Sequence, residues 1–186
     1  MNKVAFSLWF GLVIYTLIYI LWIQSTSILL LEIINGEANP FASQFFNLMG
    51  LVPCYFLMDY LYFQNHSKTG IIFFLFGFLG GAFSILLGYH APHSIRRPMP
   101  WWVQGLLLLL ILLTTTLIIQ GFWQGDPSLY FRHFFQDSLI GIMTVDFLVL
   151  YVWSIYRAKQ LFDHWKLAFV PIIGFGILML LDQRHH

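Results

Sequence analysis

One acidic residue lies deep within an apolar stretch of this sequence, where its chemistry is unusual. Asp146 falls near the middle of the predicted span from Leu139 to Tyr156, and none of the predicted spans contains a Lys or Arg to neutralise it. An Asp at that depth costs about 2.5–3.5 kcal/mol on insertion scales, so it must gain a partner, water or a function. We expect Asp146 to anchor a ligand, carry a proton or act as an acid/base, with a structural hydrogen bond as the alternative.

Two further polar residues lie in the segment from Ala42 to Tyr62. Asn47 comes early in this segment, and an amide in lipid seeks an interhelical partner. We therefore place Asn47 beside Asp146 in the interior, either at a ligand or in a bond that locks two helices together. Asp59 is close to the end of the segment, and we expect it to reach the interface as a solvated structural carboxylate.

A polar cluster follows the third apolar segment. His90 and His93 could tune a site for a lipid headgroup, but Pro92 between them prevents their presentation on one helical face. No H-E-x-x-H motif or pair of cysteines accompanies them, so we predict no metal site. Arg96 and Arg97 could hold an anionic lipid or a ligand phosphate, with a plain interfacial anchor as the alternative.

The composition shows which solvent surrounds these residues. Of 186 residues, 59% are hydrophobic and 9% are charged, whereas a soluble domain has about 25% charged residues. Nine Lys and Arg against eight Asp and Glu leave no basic face for nucleic acid. A soluble globular enzyme, a disordered chain and a nucleic-acid binder are therefore excluded. The sequence also shows no phosphate loop, nucleophile elbow or catalytic triad, which argues against most familiar enzyme classes.

The apolar segments predict an all-α, polytopic membrane protein with six transmembrane helices in one bundle, forming a single domain over residues 1–186. The predicted spans are Val4 to Ile23, Ala42 to Tyr62, Ile71 to Tyr89, Val103 to Trp123, Leu139 to Tyr156 and Leu167 to Leu181. The sixth is short for about 30 Å of hydrocarbon, so we expect it to begin near Trp165 or to lie where the bilayer thins. With six spans, four Lys and Arg lie on the side of the termini and five on the other side, which leaves the orientation open.

Small residues in the third predicted span favour close helix packing. Gly77 and Gly81 have the G-x-x-x-G spacing that lets two helices touch through their backbones, either within the chain or across a homodimer. Cys54 is the single cysteine, so no disulfide forms within the chain, and we expect a buried thiol. Membrane lipids are the remaining expected partner.

Three groups of residues resemble a family of multi-span membrane proteins found in cyanobacteria and plastids. They are Asn39-Pro40 with Phe46 to Pro53, Gly81-Ala82-Phe83, and Thr144 to Phe147, so the resemblance covers residues 39–181. The stretch with Val145-Asp146-Phe147, Asp163 and Pro171 is also distantly similar to the membrane protein required for neoxanthin formation in plants. The resemblance implies a multi-pass protein of the bacterial inner membrane or the thylakoid, and it supplies no activity or catalytic residues.

Three functions follow from these residues. The leading hypothesis is a binding protein whose interior holds a carotenoid, a quinone or a lipid, or an accessory subunit or assembly factor of a membrane complex, because 19% of the residues are aromatic and no catalytic constellation is present. The alternative is a membrane enzyme acting on an isoprenoid or lipid, with Asp146 as acid/base. The third is a small proton-coupled transporter, which the absence of an inverted repeat makes less favourable.

Overall fold

The computed structural model describes residues 2–22, 29–64, 68–89 and 97–182, and this part of the chain is helical without any strand. Five of its helices are long and apolar enough to cross a membrane, so the protein is an all-α, multi-pass integral membrane protein. The helices are α1 (Lys3–Trp22), α2 (Leu29–Asn35), α3 (Pro40–Phe63), α4 (Lys68–Gly88), α5 (Trp101–Gln124), α6 (Pro127–His133), α7 (Ser138–Leu161), a 3₁₀ helix (Trp165–Phe169) and α8 (Ile173–Asp182).

At one end of the bundle, three helices begin at an N-cap whose side chain accepts backbone N–H groups. Asn39 caps α3, Asp126 caps α6 and Asp137 caps α7. In α3 and α6 a proline follows the cap, where its missing N–H costs no hydrogen bond. Bonds from the Ser128 hydroxyl and from the Leu129 backbone hold the pKa of Asp126 below its usual value. These caps define where the chain turns at one end of the bundle.

That end, which we call the acidic end, carries the caps together with α2 and α6. The Asn39 amide donates to the Asp126 carbonyl over 2.7 Å, and the Leu29 N–H donates to the Asp137 carboxylate over 3.1 Å. At the opposite end, which we call the basic end, the start of α1 contacts Tyr89. The residues before α5 contact the last turn of α3 at the same end. Helices α1, α3, α5 and α7 therefore each run from one end of the bundle to the other.

Two backbone hydrogen bonds define the basic end. The Asn2 N–H donates to the Tyr89 carbonyl over 3.3 Å, and the Arg97 N–H donates to the Tyr62 carbonyl over 2.9 Å. The end of α3 and both chain segments flanking residues 90–96 therefore lie at the same end of the bundle. This arrangement requires α4 to return to the end from which it starts.

Helix α4 does return, because it is a hairpin of two arms. The Ser84 hydroxyl donates to the Phe73 carbonyl over 2.8 Å, although residues eleven apart in a straight helix are about 16 Å apart. The chain reverses at Gly81, whose φ of 50° and ψ of −132° are not helical. The segment predicted to span from Ile71 to Tyr89 thus has the length and composition of a span, but its geometry is that of a re-entrant hairpin.

The segment predicted as the sixth span is likewise not one continuous helix. A 3₁₀ helix leads to Pro171 and to Ile172, whose φ of 62° is rare for a β-branched residue, and α8 then runs back. The arms are so close that a Cβ on Gly174 would lie 1.8 Å from the Leu167 carbonyl oxygen. Since the ten residues of α8 extend only about 15 Å, α8 alone cannot cross about 30 Å of hydrocarbon.

The two halves of the chain repeat the same order of elements. Helices α6 and α7 begin and end 98 positions after α2 and α3, and α5 begins 98 positions after α1. Each half therefore consists of a long helix, a seven-residue helix, a 24-residue helix and a hairpin. Both halves start at the basic end, so the repeat is parallel rather than inverted.

The packing between the halves is reciprocal. Helix α1 packs on α7 as α5 packs on α3, and α2 packs on α7 as α6 packs on α3. The α4 hairpin contacts α1, α3 and α7, while the second hairpin contacts the equivalent helices α5, α7 and α3. Reciprocal contacts of this kind are those of a two-fold axis, which here runs along the bundle.

A buried ion pair joins the equivalent positions of α3 and α7. Asp59 and Arg157 are 98 residues apart, and the guanidinium donates to both carboxylate oxygens over 2.9 Å. The Tyr89 hydroxyl donates to the same carboxylate over 2.6 Å, and the Tyr89 ring lies 5.2 Å from the guanidinium carbon. Asp59 is fully buried and Arg157 is 5% exposed. The expectation of a solvated Asp59 at the interface is therefore corrected, because α7 extends past Tyr156 and brings Arg157 to it.

Removing one partner of this pair should destabilise the protein strongly. We expect Asp59→Leu to lower the free energy of unfolding by about 3–5 kcal/mol, because it leaves the Arg157 charge buried without compensation. The double variant Asp59→Leu/Arg157→Leu should recover a large part of this loss. Thermal unfolding of the purified protein in mild detergent measures both effects, with Asp163→Leu at the exposed start of the second hairpin as control. Equal stability of the single variant and the control would contradict the prediction.

Candidate functional site

Asp146 lies against the tip of the α4 hairpin, halfway along the bundle. Its Oδ1 accepts the backbone N–H of Ala82 over 2.8 Å, and Ala82 is the first residue after the break at Gly81. The first N–H groups of a helical arm have no partner within that arm, so the carboxylate supplies one. Asp146 is 5% exposed, which agrees with the expected position deep in the bundle beside neutral dipoles. The structural hydrogen bond that was the alternative role is thus present.

The approach between α7 and the hairpin depends on glycine. A Cβ on Gly81 would lie 2.0 Å from Oδ2 of Asp146, a distance at which the carboxylate has no room. The positive φ of Gly81 also belongs to a region of backbone conformation that L side chains rarely adopt. The hairpin tip and the acid are therefore fitted to one another.

The Asp146 side chain lines a cavity of about 350 Å³. One wall is the hairpin tip, another is α3, and the third is the first half of α7. The carboxylate is the charged group among apolar and aromatic lining residues, which are Phe46, Met49, Gly50, Gly77, Phe78, Leu79, Gly80, Gly81, Phe83, Leu139, Ile142 and Met143. A carboxylate has about four acceptor positions, and the described residues use one of them. The cavity can therefore offer hydrogen-bond acceptors to a largely apolar guest that carries an O–H or N–H group.

A second cavity, of about 400 Å³, is the equivalent of the first under the repeat. Four residues of α7 line the Asp146 cavity, and the residues 98 positions earlier line the second cavity: Phe41, Gln44, Phe45 and Leu48. Its remaining walls include the tip of the second hairpin, with Val170, Pro171 and Ile173. Leu48 occupies the position of Asp146, so we call this space the Leu48 cavity. The two cavities share this wall of four equivalent residues and differ in the acid, and α5 lines the Leu48 cavity whereas α1 does not line the Asp146 cavity.

Asn47 does not join Asp146. It is exposed on another face of α3, and its amide donates to the Gln44 side chain over 3.4 Å. It lines a separate lipid-facing cavity of about 370 Å³, in which Phe46 and Gly50 also take part. The structure thus shows no bond from Asn47 to another helix among the described residues.

Of the four predicted headgroup residues, the structure describes Arg97, which lies at the basic end, away from Asp146. Arg97 is half-buried beside the end of α3, where its backbone N–H bonds to Tyr62. His90, His93 and Arg96 lie outside the described residues. Within residues 2–22, 29–64, 68–89 and 97–182, no three His, Cys, Asp or Glu side chains come close enough to hold a metal ion.

The G-x-x-x-G glycines pack inside the chain. A Cβ on Gly77 would lie 2.7 Å from Ile85 in the other arm of the hairpin, while Gly81 faces Asp146. This spacing therefore brings two arms of one hairpin together. A homodimer through these glycines remains a prediction.

Sequence reasoning missed the pair of Asp59 and Arg157 and the hairpin that supplies Tyr89. One signal for the pair is positional: each residue lies five positions from the end of its 24-residue helix, counting the last residue as the first. The signal for the hairpin is Gly80-Gly81 in the middle of an apolar segment, where a glycine pair breaks a helix most easily. Neither signal is visible in composition or hydropathy.

Comparisons with known proteins give this chain no relative: no family model, curated protein or solved structure matches it. The resemblance to the cyanobacterial and plastid family and the setting that it implies therefore remain predictions. The functional argument depends on the geometry of the chain itself.

A Cβ at the hairpin tip should separate the hairpin from α7. We expect Gly81→Ala to lower the free energy of unfolding by about 1–3 kcal/mol from backbone strain alone, with a further loss as Asp146 is displaced. The control is Gly105→Ala in α5, where a Cβ meets no atom within 4 Å and should leave stability unchanged or slightly increased. Thermal unfolding of both variants in detergent checks this, and matching midpoints would show that the tip is not constrained as described.

Proposed function

We propose that this integral membrane protein binds a lipophilic ligand in the Asp146 cavity and that the carboxyl group of Asp146 holds the polar group of that ligand. The observation that carries the proposal is the comparison of the two equivalent cavities. The Leu48 cavity has the equivalent wall of four residues and contains no acid. A helix can therefore pack against a hairpin tip in this fold without a carboxylate. Because an acid in lipid is costly, we infer that Asp146 has a role beyond packing.

The backbone of the second hairpin explains how that tip manages without an acid. The N–H groups of Ile173 and Gly174 bond to the carbonyls of Pro171 and Val170 within the same turn. The first hairpin instead leaves the Ala82 N–H to Asp146. The acid thus anchors the α4 tip with one oxygen and lines the cavity with the remainder of its carboxyl group.

The lining of the cavity suits a ring or an unsaturated chain. Phe46, Phe78 and Phe83 contribute aromatic walls, and Gly50 leaves open space, because a Cβ there would meet no atom within 4 Å. Apolar pockets with few polar groups are typical of sites for lipophilic molecules, and the polar group sets their orientation. The reduced (quinol) form of a quinone, a hydroxylated carotenoid end ring or a lipid with a hydroxyl or amine group carries the donor that this carboxyl group can accept. An accessory role in a membrane complex is compatible with such a ligand.

Extraction of the purified protein tests this function. The full chain purified in mild detergent should carry a lipophilic molecule that mass spectrometry detects above the bulk lipid. Asp146→Asn keeps an acceptor for the Ala82 N–H but removes the charge. It should reduce the amount of retained ligand at least about tenfold, because the ligand loses one hydrogen bond to a charged group.

The matched control is Leu48→Met, a volume-conserving change at the equivalent position of the Leu48 cavity. It should leave the amount of ligand unchanged. Full retention in Asp146→Asn, or a wild-type preparation with nothing beyond bulk lipid, would refute ligand binding at Asp146.

The two hairpins favour a proton-coupled transporter as the second candidate. Transporters place broken helices from repeated halves around a site near the middle of the membrane, as the tips at Gly81 and Ile172 are placed here. Proteoliposomes loaded with the lipid extract of the purified protein should then take up or release a compound at a rate that depends on an imposed pH gradient, and Asp146→Asn should abolish this dependence. Transport that is insensitive to the pH gradient would remove this candidate.

A further inference from the structure

The Lys and Arg residues are unequally divided between the two ends of the bundle. The structure describes seven of the nine, and six of these lie at the basic end: Lys3, Lys68, Arg97, Arg157, Lys159 and Lys166. Among the described residues, Arg132 in α6 is the single one at the acidic end. The acidic end also carries the carboxylates of Glu32, Glu37, Asp126 and Asp137.

This division is a consequence of the hairpins. If the third and sixth apolar segments crossed the membrane, the basic residues would be split almost equally between its two sides. Because α4 returns to the end from which it starts, Arg97 joins Lys3 and Lys68. Because α7 ends at the basic end, Lys159 and Lys166 join the same group.

The basic end has the features of a surface in contact with lipid headgroups. Lys3, Lys159 and Lys166 are exposed, while Arg157 is neutralised by Asp59 and so contributes no free charge. Trp101 is 84% exposed at the start of α5, a position typical of rings at the headgroup level. Exposed Lys side chains attract the anionic lipids that are concentrated in the cytoplasmic leaflet.

We infer that the basic end is the surface that contacts the anionic headgroups of the cytoplasmic leaflet, so that both hairpins enter the membrane from the cytoplasm. Loops on the cytoplasmic side of membrane proteins carry the excess of Lys and Arg, and six of the seven Lys and Arg that the structure describes lie at the basic end, including Arg157 in its ion pair. The acidic end, with four carboxylates, faces away from the cytoplasm. Both tips then lie at the depth of Asp146 and Leu48.

Single-cysteine labelling tests the orientation without disturbing the charges that cause it. In a Cys54→Ser background, Pro98→Cys reports on the basic end, and Ser128→Cys reports on the acidic end; both positions are exposed. A membrane-impermeant maleimide added to intact bacterial cells that express the full chain should label Ser128→Cys. It should label Pro98→Cys only after the membrane is permeabilised.

A second pair of single-cysteine variants tests whether α4 is a hairpin. Thr69→Cys at the start of the first arm and Pro98→Cys after the second should be labelled from the same side, whereas a spanning α4 would place them on opposite sides. Labelling after denaturation controls for the amount of each protein, and the Cys54→Ser parent should remain unlabelled. Labelling of Pro98→Cys in intact cells, or opposite sides for Thr69→Cys and Pro98→Cys, would overturn the inference, as would labelling of both ends in the same intact cells.

Discussion

The fold depends on one buried ion pair at the contact between its two halves. Asp59 and Arg157 occupy equivalent positions of α3 and α7, so the two-fold relation between the halves brings their side chains face to face. In most internal repeats, equivalent residues near the axis are identical or similar, and two like charges there would repel. An acid in one half and a base in the other satisfy the same geometry with attraction, and Tyr89 adds a hydrogen bond from the α4 hairpin. The pair therefore holds α3, α7 and the end of the second arm of α4 together.

A second constraint comes from lipid, which offers no hydrogen bond to a backbone that leaves its helix. Each hairpin reverses inside the bundle, and each solves this problem differently. At the α4 tip, the Asp146 carboxylate accepts the Ala82 N–H, and the absence of a side chain at Gly81 lets the carboxylate come close. At the second tip, the bonds close within the turn, with Pro171 lacking a donor and Ile172 held at a positive φ. The polar solution leaves a carboxyl group at the wall of the Asp146 cavity, and the apolar solution leaves the Leu48 cavity without an acid.

The sequence predicts the parts of the fold that follow from local physics. Helices α1, α3, α5 and α7 are long apolar segments, and their observed bounds agree with the predicted spans to within a few residues, apart from α7, which continues to Leu161. The sequence also predicts that Asp146 is buried and important, because an acid within an apolar segment is energetically costly in lipid. The reversal of α4 could not be predicted from hydropathy, because a hairpin and a span bury the same apolar side chains. The partner of Asp59 could not be predicted either, because Arg157 falls beyond the apolar segment from which the fifth span was drawn. The repeat is visible in element lengths and contacts, but few residues are identical at the spacing of 98.

The presence of Asp146 in one cavity and of Leu48 in the other supports the proposed ligand binding more strongly than the buried acid alone does. A buried acid in a single site can always be attributed to the helix that it anchors. In this fold, Leu48 occupies the equivalent position beside a tip whose N–H groups bond within their own turn. An aspartate at this depth costs more free energy than a leucine does, because the charged group loses its hydration and gains only one N–H bond. One oxygen of Asp146 accepts the Ala82 N–H, and the other acceptor positions of its carboxyl group have no partner among the described residues. The polar group of a guest in the Asp146 cavity would occupy the acceptor positions that Ala82 leaves open.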